Sequence, residues 1–215
     1  MKSRIESRMF PFRFHMPAWV FANMNARLLL WMLLVPLLAG CISYSGEPVP
    51  LDDSIEGLPD AIEPQPVYLE DGDRYTMIAE PVVASIGGDR IRMLAYNRMI
   101  PGPELHIELG ANVSIELLND LDFPTTLHLH GIRWTTEMDG VPGISQDPIA
   151  PGESFTYNFE AHDEGTFWYH PHVQEAMQKE MGLSGAMIVE HPEDAPDSLP
   201  IIMDDILIVD GELPH

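Results

Sequence analysis

The sequence is poor in cysteine and in positive charge. Cys41 is the single cysteine among 215 residues, so no disulfide can form within the chain. Lysine and arginine together number 11 against 34 aspartates and glutamates, which gives a formal net charge of −23. So acidic a chain repels phosphate groups, which excludes nucleic acid as a partner and argues against binding of the folded part to anionic lipid.

The sequence also lacks a hydrophobic run long enough to cross a membrane. Its longest run, residues 28–40, follows Arg27 and ends in small residues, whereas a spanning helix needs about 20 apolar residues. The pattern is typical of a signal peptide, with Met24 as an alternative start. We therefore expect an exported chain, located in the periplasm or at the cell surface.

The end of this run resembles a bacterial lipobox, Leu38-Ala39-Gly40-Cys41. In a lipobox the cysteine is lipidated and becomes the first residue of the mature protein. The sequence thus predicts a lipoprotein signal peptide over residues 1–40 and contact with a membrane only through a lipid on Cys41. A signal peptide cut elsewhere, with Cys41 as a buried thiol, is the alternative.

No segment shows a sustained helical period, and no repeat has solenoid spacing. Residues 41–73 are rich in proline and acidic residues, which predicts an unstructured tether. Beyond it, short alternating runs are separated by Gly, Pro, Asn and Asp. The runs predict an antiparallel, Greek-key β-sandwich over residues 74–192, with one or two helical turns at 174–181. The predicted strands are 75–86, 91–96, 105–118, 125–130, 154–159, 165–170 and 186–190.

Two His-x-His pairs are the strongest chemical signal. His128 and His130 form one pair, and His170 and His172 form the other. Alternate residues of a strand face the same side, with Cα atoms about 6.5 Å apart, so both imidazoles of a pair can reach one metal or two neighbouring metals. Imidazole favours copper, zinc, iron or nickel over calcium or magnesium.

Several motifs surround these pairs in a fixed order. They are Tyr96-Asn-Arg-Met-Ile-Pro-Gly-Pro-Glu-Leu105, His128-Leu-His-Gly131, Asp139-Gly-Val-Pro142, Pro151-Gly152, Gly165-Thr-Phe-Trp-Tyr-His-Pro-His172 and Gly182-Leu-Ser-Gly-Ala-Met-Ile-Val189. In order and spacing they resemble the first cupredoxin domain of the laccase-like multicopper oxidases. The resemblance covers about residues 75–191.

The resemblance implies an oxidoreductase that couples oxidation of a reducing substrate to reduction of oxygen to water. It implies half of a trinuclear copper cluster here, with His128 on the type 2 copper and His130, His170 and His172 on the type 3 pair. It also implies a catalytic carboxylate, Asp139, beside the type 2 site. A turn residue is the other interpretation of Asp139.

Part of the family pattern is missing. A type 1 copper needs a cysteine thiolate with two histidines, and Cys41 is the predicted lipid anchor. The later His-x-x-His-x-His and His-Cys-His stretches are also absent. We therefore expect little or no oxidase activity from these 215 residues alone.

Two hypotheses explain the missing ligands. In the first, the chain is part of an oxidase whose later cupredoxin domains come in cis or in trans, with residues 193–215 as a linker and the start of a second domain. In the second, the chain is a free-standing, non-catalytic copper-binding cupredoxin involved in copper handling. The reducing substrate cannot be identified under either hypothesis.

Overall fold

The computed structural model describes residues 53–191 and 200–203. Within these residues the chain forms nine strands, a 3-10 helix at Thr136–Met138 and an α-helix, α1, at Glu175–Glu180. The strands are β1 (Pro66–Leu69), β2 (Arg74–Ile86), β3 (Asp89–Tyr96), β4 (Glu104–Glu108), β5 (Asn112–Asn119), β6 (His128–His130), β7 (Ser154–Glu160), β8 (Gly165–His170) and β9 (Gly185–Glu190). The predicted all-β class is confirmed.

The strands form two sheets. One has the order β1-β4-β9-β8-β6 and the other the order β3-β2-β5-β7. Alternation along the strands decides which side chains face inward: on β5, Val113, Ile115 and Leu117 are buried while Asn112 and Glu116 are exposed. The inward side chains of both sheets make one core, to which Met77, Leu105 and Tyr157 also belong. The two-sheet sandwich expected from the sequence is therefore observed.

The antiparallel pairing expected from the sequence is wrong for three of the described strand pairs. Strand pairs β1·β4, β4·β9 and β2·β5 are parallel, and the other pairs are antiparallel. After β3 the chain leaves the four-stranded sheet and runs through β4 in the five-stranded sheet. It then returns to the four-stranded sheet as β5. This crossing brings β5 beside β2 in the same direction, which a hairpin cannot do.

The single run predicted at 105–118 is two strands in different sheets. Gly110, at φ +85°, lies between β4 and β5. Its amide donates to Ala161, and the Leu109 amide donates to Glu190. Glycine adopts this left-handed conformation without the Cβ penalty that other residues incur, so the chain turns here from one sheet to the other.

The described part of the expected tether belongs to the sandwich. β1 pairs with β4 from Pro66 to Leu69, and Leu69 is buried. Bridges also join Asp60 to Val83 and Ile62 to Met99. Backbone pairing and one buried leucine therefore place the start of the domain before residue 73, despite the acidic, proline-rich composition.

Several sequence predictions lie outside the described residues. These are the leader at 1–40 with Met24, the lipidation site Cys41, and most of the segment at 193–215. Of the last, residues 200–203 are described and form no strand. Among the described residues, none of the helices has the length and hydrophobicity of a membrane span.

Candidate metal centre

The two histidine pairs meet because β6 pairs with β8. In this antiparallel pair His128 lies opposite His170, and His130 lies opposite Trp168. Between them, Leu129 faces Tyr169, and both side chains are fully buried in the core. The alternation that buries this central pair therefore turns the histidines to the outer face of the sheet, at its β6 edge.

His172 reaches the cluster by a different route. β8 ends at His170, and Pro171, which has no N–H for the ladder, directs the chain out of the sheet. The backbone N–H of His172 then donates to Thr126 Oγ1 at 3.0 Å. A turn fixed by this hydrogen bond, and not strand alternation, places the fourth imidazole.

The four rings form one cluster. The ring centroid of His128 lies 5.5 Å from that of His130, 5.3 Å from that of His170 and 4.5 Å from that of His172. His128, His170 and His172 each offer one nitrogen, and these nitrogens lie within 4.8 Å of one another. The predicted convergence of the two pairs is confirmed, and the donor set has the size and chemistry to hold transition-metal ions.

The rings differ in which nitrogen, Nδ1 or Nε2, faces the other rings of the cluster. His128 Nδ1 lies 2.7 Å from the carbonyl oxygen of Asp139, and His170 Nδ1 lies 3.0 Å from that of Pro171. His172 Nδ1 lies 3.2 Å from Glu175 Oε2. An Nδ1 that donates a proton outward leaves Nε2 as the free lone pair. His130 is the reverse case, because its Nδ1 faces His170 Nε2 at 3.4 Å.

Burial favours the uncharged form of two of the rings. Burial lowers the pKa of His170 to about 4, opposed by its hydrogen bond to the Pro171 carbonyl. Burial also lowers the pKa of His172, and the neighbouring His128 adds to the effect. Neutral imidazole is the form that binds metal.

Asp139 lies beside His128, one ring of the cluster. Its Oδ1 is 3.3 Å from His128 Nδ1 and accepts a hydrogen bond from Trp134 Nε1 at 3.1 Å. It also ends the 3-10 helix and precedes Gly140. The geometry therefore fits both interpretations, the turn residue and the carboxylate at the metal site.

Sequence reasoning missed Glu175 and Lys179 of α1. Glu175 contacts His172, and Lys179 Nζ binds Glu175 Oε1 at 2.9 Å. Part of the signal was present in the spacing: Lys179 follows Glu175 by four residues, which places the two on one helical face. His172 lies before the helix, so helical spacing does not predict its contact with Glu175. The helical turns predicted at 174–181 are observed, although the polar residues on them received no role.

Solved structures with the same fold identify the class. A multicopper oxidase from Pseudomonas thermotolerans matches with a TM-score of 0.54 and 40% identity over 63% of this chain and 31% of that one. The blue copper oxidase from Nitrosomonas europaea matches with a TM-score of 0.54 and 34% identity, over 58% of this chain and 40% of that one. The sandwich with its histidine cluster is thus a cupredoxin-like domain of the type found in copper oxidases.

Sequence comparisons give the family. The multicopper oxidase family model matches residues 79–194, just over half of the chain. Laccase-1 of Emericella nidulans is 43% identical over 121 residues, which are 55% of this chain and 20% of the relative. Copper resistance protein A of Pseudomonas syringae pv. tomato is 35% identical over 135 residues, 61% of this chain and 22% of the relative. The chain belongs to the multicopper oxidase family, and it spans about a fifth of the length of these relatives.

Proposed function

We propose that this chain is the copper-binding N-terminal domain of an exported multicopper oxidase, with His128, His130, His170 and His172 as half of the ligands of a trinuclear copper cluster. The observation that carries the proposal is the convergence of four imidazoles on one sheet edge, in a domain of this family. Copper held by these histidines would supply the redox chemistry for reduction of oxygen to water, and a type 1 copper in another domain would be the entry point for electrons from the reducing substrate. Further cupredoxin domains, in cis or in trans, would supply the remaining ligands.

The ring orientations set His130 apart from the other three histidines. Nδ1 of His128, His170 and His172 lies against an oxygen acceptor, which favours Nε2 as the metal ligand, whereas Nδ1 of His130 faces another ring of the cluster. On the family resemblance, and not on these orientations, we assign His128 to the type 2 copper and the other three to the type 3 pair. Asp139 would orient His128 through its carbonyl oxygen, and its partly exposed carboxylate would hold a proton or a water beside the ring.

The exposure of the cluster supports a site completed by another domain. The side chains of His128 and His172 are 14% and 27% exposed, and His130 is exposed. A self-contained metal site is usually closed by its own ligands. The open side of this cluster is the place where further histidines would enter.

A self-sufficient copper-binding module is the second candidate, and one observation favours it. His128, His170 and His172 alone bring three nitrogens within 4.8 Å of one another, a set that could hold one copper without His130. Copper handling would then be the role, as the name of the relative copper resistance protein A indicates for that protein. The two candidates differ in what they require of His130.

Copper content measured on the full chain tests both candidates. We expect the His128→Ala/His130→Ala double variant to bind much less copper per folded molecule than the unchanged chain, because each copper loses a ligand. His130→Ala alone should also lower the content if all four rings bind, and should leave it unchanged if three suffice. His162→Ala, an exposed histidine paired with Glu160, is the control. Equal copper content in the double variant and the unchanged chain would refute the site.

We also propose that the chain is a lipoprotein anchored through Cys41. The support is the segment Leu38-Ala-Gly-Cys41 after an apolar run. Cys41→Ser should abolish incorporation of a labelled fatty acid and leave the protein unanchored or unprocessed in membrane fractionation. Labelling that persists in the Cys41→Ser variant would contradict lipidation at this residue.

A further inference from the structure

Helix α1 begins directly beside the histidine cluster and turns a carboxylate towards it. Glu175, its first residue, places Oε2 3.2 Å from His172 Nδ1, within hydrogen-bond distance. Its Oε1 lies 3.8 Å from His170 Nδ1, too far for a hydrogen bond. The carboxylate thus binds one ring of the cluster and adds negative charge near a second.

The position of Glu175 is itself held. Lys179, one helical turn later, donates to Glu175 Oε1 at 2.9 Å, which leaves Oε2 for His172. Lys179 Nζ also lies 5.3 Å from the ring centroid of Trp168, a cation–π distance. Trp168 in turn stacks on His170, with centroids 4.1 Å apart and planes at 27°. The contacts therefore run from His172 through Glu175, Lys179 and Trp168 back to His170.

The partner of His172 differs in kind from those of the neighbouring ligands. His128 and His170 direct Nδ1 at backbone carbonyls, of Asp139 and Pro171, which the fold fixes. His172 lies beyond the end of β8 and directs Nδ1 at a side chain. An imidazole outside the ladder depends more on such a partner for its tautomer and ring orientation.

We propose that Glu175 is a positioning residue for the histidine cluster: it accepts the Nδ1 proton of His172 and so aims Nε2 at the metal, and Lys179 holds the carboxylate in this orientation. The inference rests on the proposed function, because it assigns the metal ligand role to His172. Glu175 does not contact the metal in this account. It acts by fixing the donor tautomer and the rotation of one ligand.

Copper affinity of the full chain, measured by competition with a chelator, is the first test. Glu175→Ala should weaken copper binding about 10- to 100-fold, the usual effect of removing such a partner. Glu175→Gln should lose less copper affinity, because its amide oxygen can accept the same hydrogen bond. The copper affinity of Lys179→Met should lie between that of Glu175→Ala and that of the unchanged chain. Glu180→Gln, an exposed glutamate on the same helix, is the matched control and should leave the affinity unchanged.

The tautomer of His172 in the metal-free chain is the second test, read from the nitrogen shifts of the ring by NMR. The unchanged chain and Glu180→Gln should show the proton on Nδ1, whereas Glu175→Ala should show a mixture of tautomers. Thermal melts of each variant establish that it is folded, and Glu175→Gln supplies the comparison if Glu175→Ala is not.

The outcomes separate the two proposals. If the unchanged chain binds no copper, the proposed function fails, and the positioning role, which assigns His172 to a metal, fails with it. If the unchanged chain binds copper and Glu175→Ala matches Glu180→Gln in both affinity and tautomer, the positioning role alone is overturned.

Discussion

At the residue scale, Gly140 shows how closely the backbone packs around the histidine cluster. It follows Asp139 with φ at +71°, a conformation that L side chains rarely adopt. A Cβ at this position would also overlap the carbonyl oxygen of Leu127, the residue before His128. The close approach of the 139–140 turn to β6 is what allows the Asp139 carbonyl to reach His128 Nδ1.

The effect of this close approach can be measured by comparing two glycines. Gly143 has nearly the same φ, +73°, but nothing lies within 4 Å of its Cβ position. Gly143→Ala should therefore lower the free energy of unfolding by only about 1 to 2 kcal/mol, the strain of an alanine in the left-handed conformation. Gly140→Ala should cost about 2 to 5 kcal/mol, since steric overlap adds to the strain. Equal free energies of unfolding for the two variants in urea titrations would show that Gly140 is not tightly packed.

At the element scale, β1 is the strand that sequence reasoning missed. It has four residues, it lies between polar residues Gln65 and Glu70, and only Leu69 is buried, with Val67 half-buried. Its parallel pairing with β4 supplies the backbone hydrogen bonds that composition cannot indicate. A strand at a sheet edge that buries so little is stabilised mainly by its partner strand.

A leucine-to-alanine change tests whether β1 contributes to the stability of the sandwich. Leu69 is 5% exposed and packs in the main core, so Leu69→Ala should lower the free energy of unfolding by about 2 to 5 kcal/mol. Ile55, in the same expected tether, is 36% exposed, and Ile55→Ala should change the free energy of unfolding by no more than about 0.5 kcal/mol. Similar melting temperatures for both variants would instead restore the tether prediction for this segment.

At the scale of the whole molecule, three tyrosines buried between the sheets couple stability to alkaline pH. Burial raises the pKa of Tyr96, Tyr157 and Tyr169 above the ordinary value. Their hydroxyls differ in partner: Tyr169 donates to the Pro103 carbonyl at 2.6 Å, and Tyr157 accepts from the Leu127 amide at 2.9 Å. An ionised phenol would have to be buried between the sheets, which the folded state disfavours.

The sign of the pH effect follows from these raised pKa values. Unfolded tyrosine ionises near pH 10, so above that pH the folded chain retains protons that the unfolded chain loses. The contribution of these tyrosines to the free energy of unfolding is therefore complete below about pH 10 and is lost as the pH rises above that value. In urea titrations between about pH 9 and 11, the free energy of unfolding of Tyr169→Phe should decrease less steeply with pH than that of the unchanged chain. At neutral pH this variant should be less stable by about 1 kcal/mol, because it loses the hydrogen bond of the hydroxyl. Tyr68→Phe, which is exposed, should keep the slope of the unchanged chain. A Tyr169→Phe slope equal to that of the unchanged chain would contradict this account.

The sequence by itself determined the features that depend on near neighbours in the chain. The period of two along β5 and β8 fixed which side chains point inward, and the same period placed His128 and His130 on one face. The pair Gly87-Gly88 marked the turn between β2 and β3. The turn at Gly110 was not predicted, because the pattern predicts one continuous strand over residues 105–118. The family resemblance rested on motifs of the same local kind, and the family match confirms it.

Only the tertiary structure decided which strands are neighbours and what surrounds each histidine. The pairing of β6 with β8 sets His128 opposite His170, residues separated by about 40 positions in sequence. The parallel pairs and the place of β1 in the sheet depend on contacts of the same long range. The contact of Glu175 with His172 depends on the turn that Thr126 fixes from a distant segment. Such contacts form when the whole chain gains more from packing two sheets together than it loses in closing the loops between them, and no local pattern records that balance.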